Sequence, residues 1–217
     1  MDETPQKVLV VTPHPDDADF WCSGTIAKWI ADGATVRYVL CTDGSKGTTD
    51  PNVSSSDLSK IREQEQADAV EALGVQELVL LHHPDGLLED NDEFRKELVR
   101  QIRQVQPDVV LCPEPYRKNL AWHRDHLHFV ELWRDEGLEP HKTGTILFWG
   151  TEKADTSIDI SNSIDAKIKA VSAHTSQMDG RSPQEIAAFI KDRAEVSQGG
   201  SGKEYIEEFR KLNFRTT

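Results

Sequence analysis

The 217-residue chain is short of cysteine and of positive charge, and each shortage excludes something. Its three cysteines, Cys22, Cys41 and Cys112, form no Cys-x-x-Cys pair and sit in mostly apolar stretches. Neither a disulfide framework nor a cysteine-based zinc site is expected, and they read as buried thiols of a reducing cytoplasm. Lys and Arg number 25 against 38 Asp and Glu, a formal charge of -13. Such a molecule repels phosphate backbones and anionic lipid, which argues against nucleic-acid and membrane partners while leaving room for one locally basic pocket. No apolar run approaches the roughly 18 residues of a membrane span. The polar stretch 1–7 lacks the apolar segment of a signal peptide. Also missing are the G-x-G-x-x-G and G-x-x-x-x-G-K-[ST] phosphate cradles, so a nucleotide-binding module lacks its usual equipment.

What is present alternates. Continuous apolar runs at 7–12 (KVLVVT), 35–42 (TVRYVLCT), 77–82 and 108–112 read as strands covered on both faces. Between them the segments 19–32, 58–73 and 92–104 read as helices, the last two with apolar residues at three- and four-residue spacing. Gly33 and Gly74 close two of these helices. A further strand is expected at 145–149, an edge strand at 155–160 and helices at 163–173 and 183–196. This is the pattern of a Rossmann-like α/β fold, a doubly wound and mostly parallel sheet, expected to form one domain over residues 1–217.

Ligands of such sheets bind beyond the carboxyl ends of the strands, where three loops concentrate chemistry: 13–17 after the first strand, 43–50 after the second and 113–126 after the fourth. After the first strand come Pro13, His14, Pro15, Asp16 and Asp17. Two adjacent carboxylates in one turn repel each other unless a cation, hydrogen bonds or a shifted pKa relieves them. The blander reading is a helix cap, with Asp17 or Asp19 serving the helix that follows. After the fourth strand come His123, Arg124, Asp125 and His126. Two imidazoles and a carboxylate with one open position form the ligand set of catalytic zinc, whereas lone histidines are more often surface residues.

Taken together, these stretches resemble the PIG-L/LmbE-like zinc de-N-acetylases. His14-Pro15-Asp16-Asp17 resembles that family's HPDD signature, followed by Gly24-Thr25-Ile26-Ala27, and His123-Arg124-Asp125-His126 resembles its H-x-D-H. Further similarity covers 42–48, Arg62-Glu63-Gln64-Glu65, Pro84-Asp85-Gly86, His174-Thr175-Ser176-Gln177 and 205–209. The Asp-Asp-Ala-Asp run is closer to the bacillithiol-type form than to the mycothiol-type form.

The resemblance implies zinc (Zn2+) held by His14, Asp17 and His126, with Asp16 as the general base. It implies that His123 stabilises the oxyanion or protonates the leaving amine, oriented by Asp125. Arg62, Asp85 and His174 are implied to bind substrate. The substrate would be an N-acetylglucosamine-type small molecule losing its acetyl group, and the protein would self-associate as a trimer or hexamer. The tyrosine that mycothiol-type relatives place before H-x-D-H is absent; Leu120, Ala121 and Trp122 stand there, with Tyr116 on the same loop. Competing readings are a metal-dependent amidase or esterase acting on another acyl compound, and a non-catalytic sugar-binding module on the same scaffold.

Overall fold

A computed structural model describes residues 4–114, 134–195 and 205–214. Seven strands among these residues form one sheet in the order β3-β2-β1-β4-β5-β7-β6. They are β1 (Lys7–Thr12), β2 (Thr35–Thr42), β3 (Glu77–His83), β4 (Val109–Pro113), β5 (Thr145–Trp149), β6 (Thr156–Asp159) and β7 (Ile206–Asn213). The first five run parallel. β7 is antiparallel to β5, and β6 lies at the edge, antiparallel to β7. The central strand β1 is buried from Val8 onward and contributes Val8, Leu9 and Val10 at 0% exposure, which is why its sequence is apolar at every position rather than at alternate ones.

The helices are α1 (Asp17–Ala31), α2 (Ser55–Leu73), α3 (Asp92–Val105), α4 (Ile164–Ala173) and α5 (Pro183–Ala194). Three begin on side chains that cap them: Ser54 accepts from the Asp57 amide, Asn91 from that of Phe94, and Ser182 forms a reciprocal box with Glu185. Gly74 ends α2 in the left-handed conformation at φ 78°, as expected of a helix-closing glycine. α1 and α4 start without a capping side chain, their N-cap residues Asp16 and Ser163 making no such bond. Neither Asp17 nor Asp19 occupies the cap position, so the capping reading of that turn does not hold.

α4 packs against both α1 and α2. Lys167 on α4 and Glu207 on β7 form an ion pair at 2.5 Å with each side chain only 3% exposed. Glu207 also accepts the amides of Gly24 (3.0 Å) and Thr25 (2.7 Å) from the middle of α1, while the Lys167 ammonium donates to the carbonyl of Phe20 at 2.7 Å. In a regular helix those two amides would face the carbonyls four residues earlier. Here a carboxylate from the last strand enters the ladder. Gly24 permits the approach: a Cβ there would stand 2.7 Å from Ile160 and 3.0 Å from Glu207.

The three cysteines are free and buried, as the sequence suggests. Among the described residues no helix is long and apolar enough to cross a membrane.

Candidate active site

The loop 13–17 leaves the carboxyl end of β1, and its start is tied to β2: the amide and hydroxyl of Thr42 donate to the Pro13 carbonyl at 2.9 and 2.8 Å. From there His14 projects between two carboxylates. Its Nδ1 lies 3.0 Å from Asp17 Oδ2 and its Nε2 3.1 Å from Asp85 Oδ1. With an acceptor at each nitrogen the ring is set up to carry two protons. The hydrogen bond to Asp17 accordingly raises the imidazole above its usual range, with burial pulling the other way. His14 and Asp17 remain 42% and 31% exposed, so an incoming ligand can reach them.

Asp16 lies deeper. Burial pushes its carboxyl up to about 6, the Arg62 guanidinium offsetting only part of that penalty. Arg62, on α2, is 4% exposed. Its Nη2 stands 3.3 Å from Asp16 Oδ2 and donates to the Pro15 carbonyl at 2.6 Å, and its Nη1 donates to the Gly44 carbonyl at 2.9 Å. The guanidinium therefore joins the loop after β1 to the loop after β2. Two glycines make room for it: a Cβ at Gly44 or Gly47 would stand 2.8 or 2.3 Å from Nη1.

The structure thus brings His14, Asp16, Asp17, Arg62 and Asp85 together. It also shows how three residues expected to face substrate are engaged. Arg62 is spent on loop carbonyls and Asp16. Asp85 is 8% exposed, with Oδ1 on His14 and Oδ2 accepting the Lys46 amide at 3.1 Å. His174, fully buried at the end of α4, places Nε2 2.9 Å from Asp19, and its Nδ1 has no hydrogen-bond partner among the described residues. The expectations for His123, Asp125 and His126 lie outside the described residues, as do those for Tyr116 and Trp122.

An imidazole nitrogen and a carboxylate oxygen held by one tetrahedral zinc ion stand about 3.3 Å apart, close to the His14–Asp17 separation of 3.0 Å. Among the described residues no three such side chains complete a metal site. The two that converge fit part of one, with Nδ1 of His14 turned toward Asp17. On that arrangement Asp85 holds the far ring nitrogen, the role a carboxylate plays behind many metal-binding histidines. Asp85→Asn is therefore expected to weaken metal binding by about 10- to 100-fold. If the amide oxygen keeps the Lys46 bond, its NH2 opposes the ring N–H. Competition with a chelating dye measures this, and an unaltered affinity would remove Asp85 from that role.

The fold and the loop geometry can be set beside known proteins. The pattern described as PIG-L, GlcNAc-PI de-N-acetylase, matches residues 9–135, more than half the chain. A diacetylchitobiose deacetylase of Thermococcus kodakarensis is 37% identical over 188 residues, covering 79% of this chain and 70% of that one. The chain belongs to the PIG-L family. Within this family its shape is similar to N,N'-diacetylchitobiose deacetylase of Pyrococcus horikoshii, solved with an inhibitor, at a TM-score of 0.84 and 30% identity over 96% of this chain and 84% of that one. A 4-carboxy-2-hydroxymuconate hydratase of Pseudomonas putida KT2440 shares the fold at a TM-score of 0.72 and 19% identity, covering 97% and 98% of the two chains. The fold of the PIG-L family is thus not confined to one reaction.

Three residues of this PIG-L family member have contacts at the site that the sequence reading did not assign. Asp43 accepts the amides of Ser45 and Asp85, both at 3.0 Å, and braces the loops after β2 and β3. Asp19 and Gln66 are buried polar groups beneath the HPDD turn, both at 0% exposure. An Asp in the first turn of a helix and a Gln in a charged helix carry no signal of their own; only the tertiary contact does.

Proposed function

We propose that the protein is a zinc-dependent hydrolase that removes the acetyl group from the amide nitrogen of an N-acetylglucosamine-type molecule, giving acetate and a free amine. The observation that carries this reading is a buried carboxyl beside an accessible imidazole–carboxylate pair: Asp16, which burial pushes up to about 6, next to His14 and Asp17, themselves 3.0 Å apart. A carboxyl in that range is ionised at neutral pH and still a better proton acceptor than an ordinary carboxylate. The names of its relatives, diacetylchitobiose deacetylases among them, support the substrate class.

His14 and Asp17, with His126, would hold the metal. When bound, zinc lowers the pKa of water and polarises the amide carbonyl. Asp16 takes the proton from the attacking water, and Arg62 fixes the carboxylate that receives it. Asp85 orients His14. His123, with Asp125 to orient it, would give a proton to the departing amine, which is too basic to leave as an anion.

The test is acetate release from N,N'-diacetylchitobiose and N-acetylglucosamine by protein of measured zinc content, with simple esters and other amides alongside. Activity on the amino sugars is expected to disappear on chelation and to return with zinc. Turnover of esters but of no acetylated sugar would favour the esterase reading instead, and full activity in metal-free protein would end the metal assignment.

A further inference from the structure

Asp16 holds a backbone conformation that residues with side chains rarely adopt, φ 85° and ψ -34°. Conformations of this kind persist only where their surroundings enforce them, and they gather at functional sites. The residue sits at the N-cap of α1 without using its carboxylate as a cap, so that group stays available for chemistry and other contacts must hold the backbone.

One such contact comes from α2. The amide of Asp16 donates to Gln66 Oε1 at 3.1 Å. Gln66 is fully buried, and its other end is not free to turn: Nε2 donates to Asp19 Oδ2 at 2.8 Å. A backbone N–H only donates, so the glutamine must keep its oxygen toward Asp16 and its NH2 toward Asp19. Asp19 is fixed in turn. It accepts from the Tyr38 hydroxyl at 3.2 Å and lies 2.9 Å from His174 Nε2. The residues after His174 are anchored to α2, because Glu65 accepts the Thr175 hydroxyl at 2.8 Å, the Ser176 amide at 2.6 Å and the Ser176 hydroxyl at 2.7 Å. Contacts from β2, α2 and the end of α4 thus converge on one buried carboxylate, and a single glutamine passes that rigidity to Asp16.

We propose that Gln66 is a positioning residue for the hydrolysis, holding the Asp16 peptide plane so that its carboxylate faces the reacting water. The proposal rests on the reading of Asp16 as general base. Rotation of the peptide plane changes φ and swings the Cα–Cβ bond, and with it the oxygens that meet substrate. Displacements of an ångström in such groups lower rates by about a hundredfold.

Gln66→Met keeps the length of the side chain and removes both polar atoms. Its kcat is expected to fall about 10- to 100-fold with KM and zinc content held within about twofold. In 15N-labelled, metal-free protein the Asp16 amide should exchange with solvent at least about tenfold faster, while the amides of Val10 and Val39 in the sheet stay as protected as before. A second variant keeps the idea testable if the first folds poorly. Gln66→Glu combined with Asp19→Asn reverses donor and acceptor across the 2.8 Å contact while preserving an oxygen for the Asp16 amide, with His174 taking the tautomer whose Nε2 accepts from the new NH2. The pair is expected to regain kcat and amide protection that each single change loses. Wild-type kcat and unaltered Asp16 exchange in Gln66→Met would overturn the proposal. So would a loss spread equally over kcat, KM and zinc content that the reversed pair does not restore. The general-base reading fails separately, if Asp16→Asn retains wild-type turnover; the Asp16 amide exchange in Gln66→Met still decides whether glutamine holds that backbone.

Discussion

Asp16→Asn is expected to lower deacetylation by about 10²- to 10⁴-fold, the usual contribution of a positioned general base, while making the metal-free protein more stable at pH 8. The second effect follows from its burial. A carboxyl that ionises near 3.8 in the unfolded chain is held at about 6 in the folded one, so the folded state disfavours its charge. The linked contribution is fully present below pH 3.8 and is lost as the pH rises through 6. Above that window the ionised side chain opposes folding by about 1–3 kcal/mol. Arg62 does not reverse the sign, because its attraction is already part of the balance that leaves the carboxyl raised. Asparagine carries no charge at any pH. The gain over wild type should be largest above pH 6 and vanish near pH 4. Urea denaturation in the presence of chelator, at pH 8 and pH 4, measures it. A less stable variant at pH 8 would show that Asp16 supports the fold rather than being held against it.

Lys167→Met is expected to destabilise the protein by about 3–5 kcal/mol, as removal of one member of a buried ion pair does. For a chain of this size that is a fall in Tm of roughly 6–20 °C. The cause is the partner left behind. Glu207 is 3% exposed and would be left with only the Gly24 and Thr25 amides as partners. Replacing both residues, as in Lys167→Met with Glu207→Leu, often repairs such a loss elsewhere. It should not do so here, since the leucine would leave two amides of α1 without the acceptor they now have and the Phe20 carbonyl without the ammonium. Calorimetry on the single and double variants separates the cases. A double variant as stable as wild type would mean that the carboxylate does nothing for the helix.

The parallel half of the sheet is legible in the sequence because burial on both faces leaves continuous apolar runs. The expected strands 7–12, 35–42 and 145–149 coincide with β1, β2 and β5, and the edge strand near 155–160 is β6. β7 is not legible. Its sequence, IEEFRKLN, carries two glutamates, an arginine and a lysine, and one of its two buried side chains is Glu207, a charge that periodicity arguments assign to solvent. The partner ammonium, 40 residues earlier on α4, and two amides of α1 make that burial tolerable.

The same division runs through the site. His14, Asp16 and Asp17 are readable because one turn presents all three, and repulsion between adjacent carboxylates is a local fact. Arg62 is readable as important but not in its engagement, since its partners are the carbonyls of Pro15 and Gly44, which no side-chain pattern encodes. Its spacing from Gly44 and Gly47 is the one available hint, glycines marking where another group comes close. Asp19, Gln66 and His174 meet only because α1, α2 and α4 pack together, at sequence separations of 47 and 155 residues.

The carboxylate that enters α1 has a kinetic consequence. Gly24 belongs to the first helix and Glu207 to the last strand, 183 residues apart. During synthesis at about 5–20 residues per second, the interval between their emergence is roughly 10–40 s. Until Lys167 emerges the nascent helix has neither the ammonium nor the anion at its middle turn, and until Glu207 follows, 40 residues later, it still lacks the anion. The middle turn of α1 therefore gains its last side-chain acceptor only after Glu207 has been synthesised.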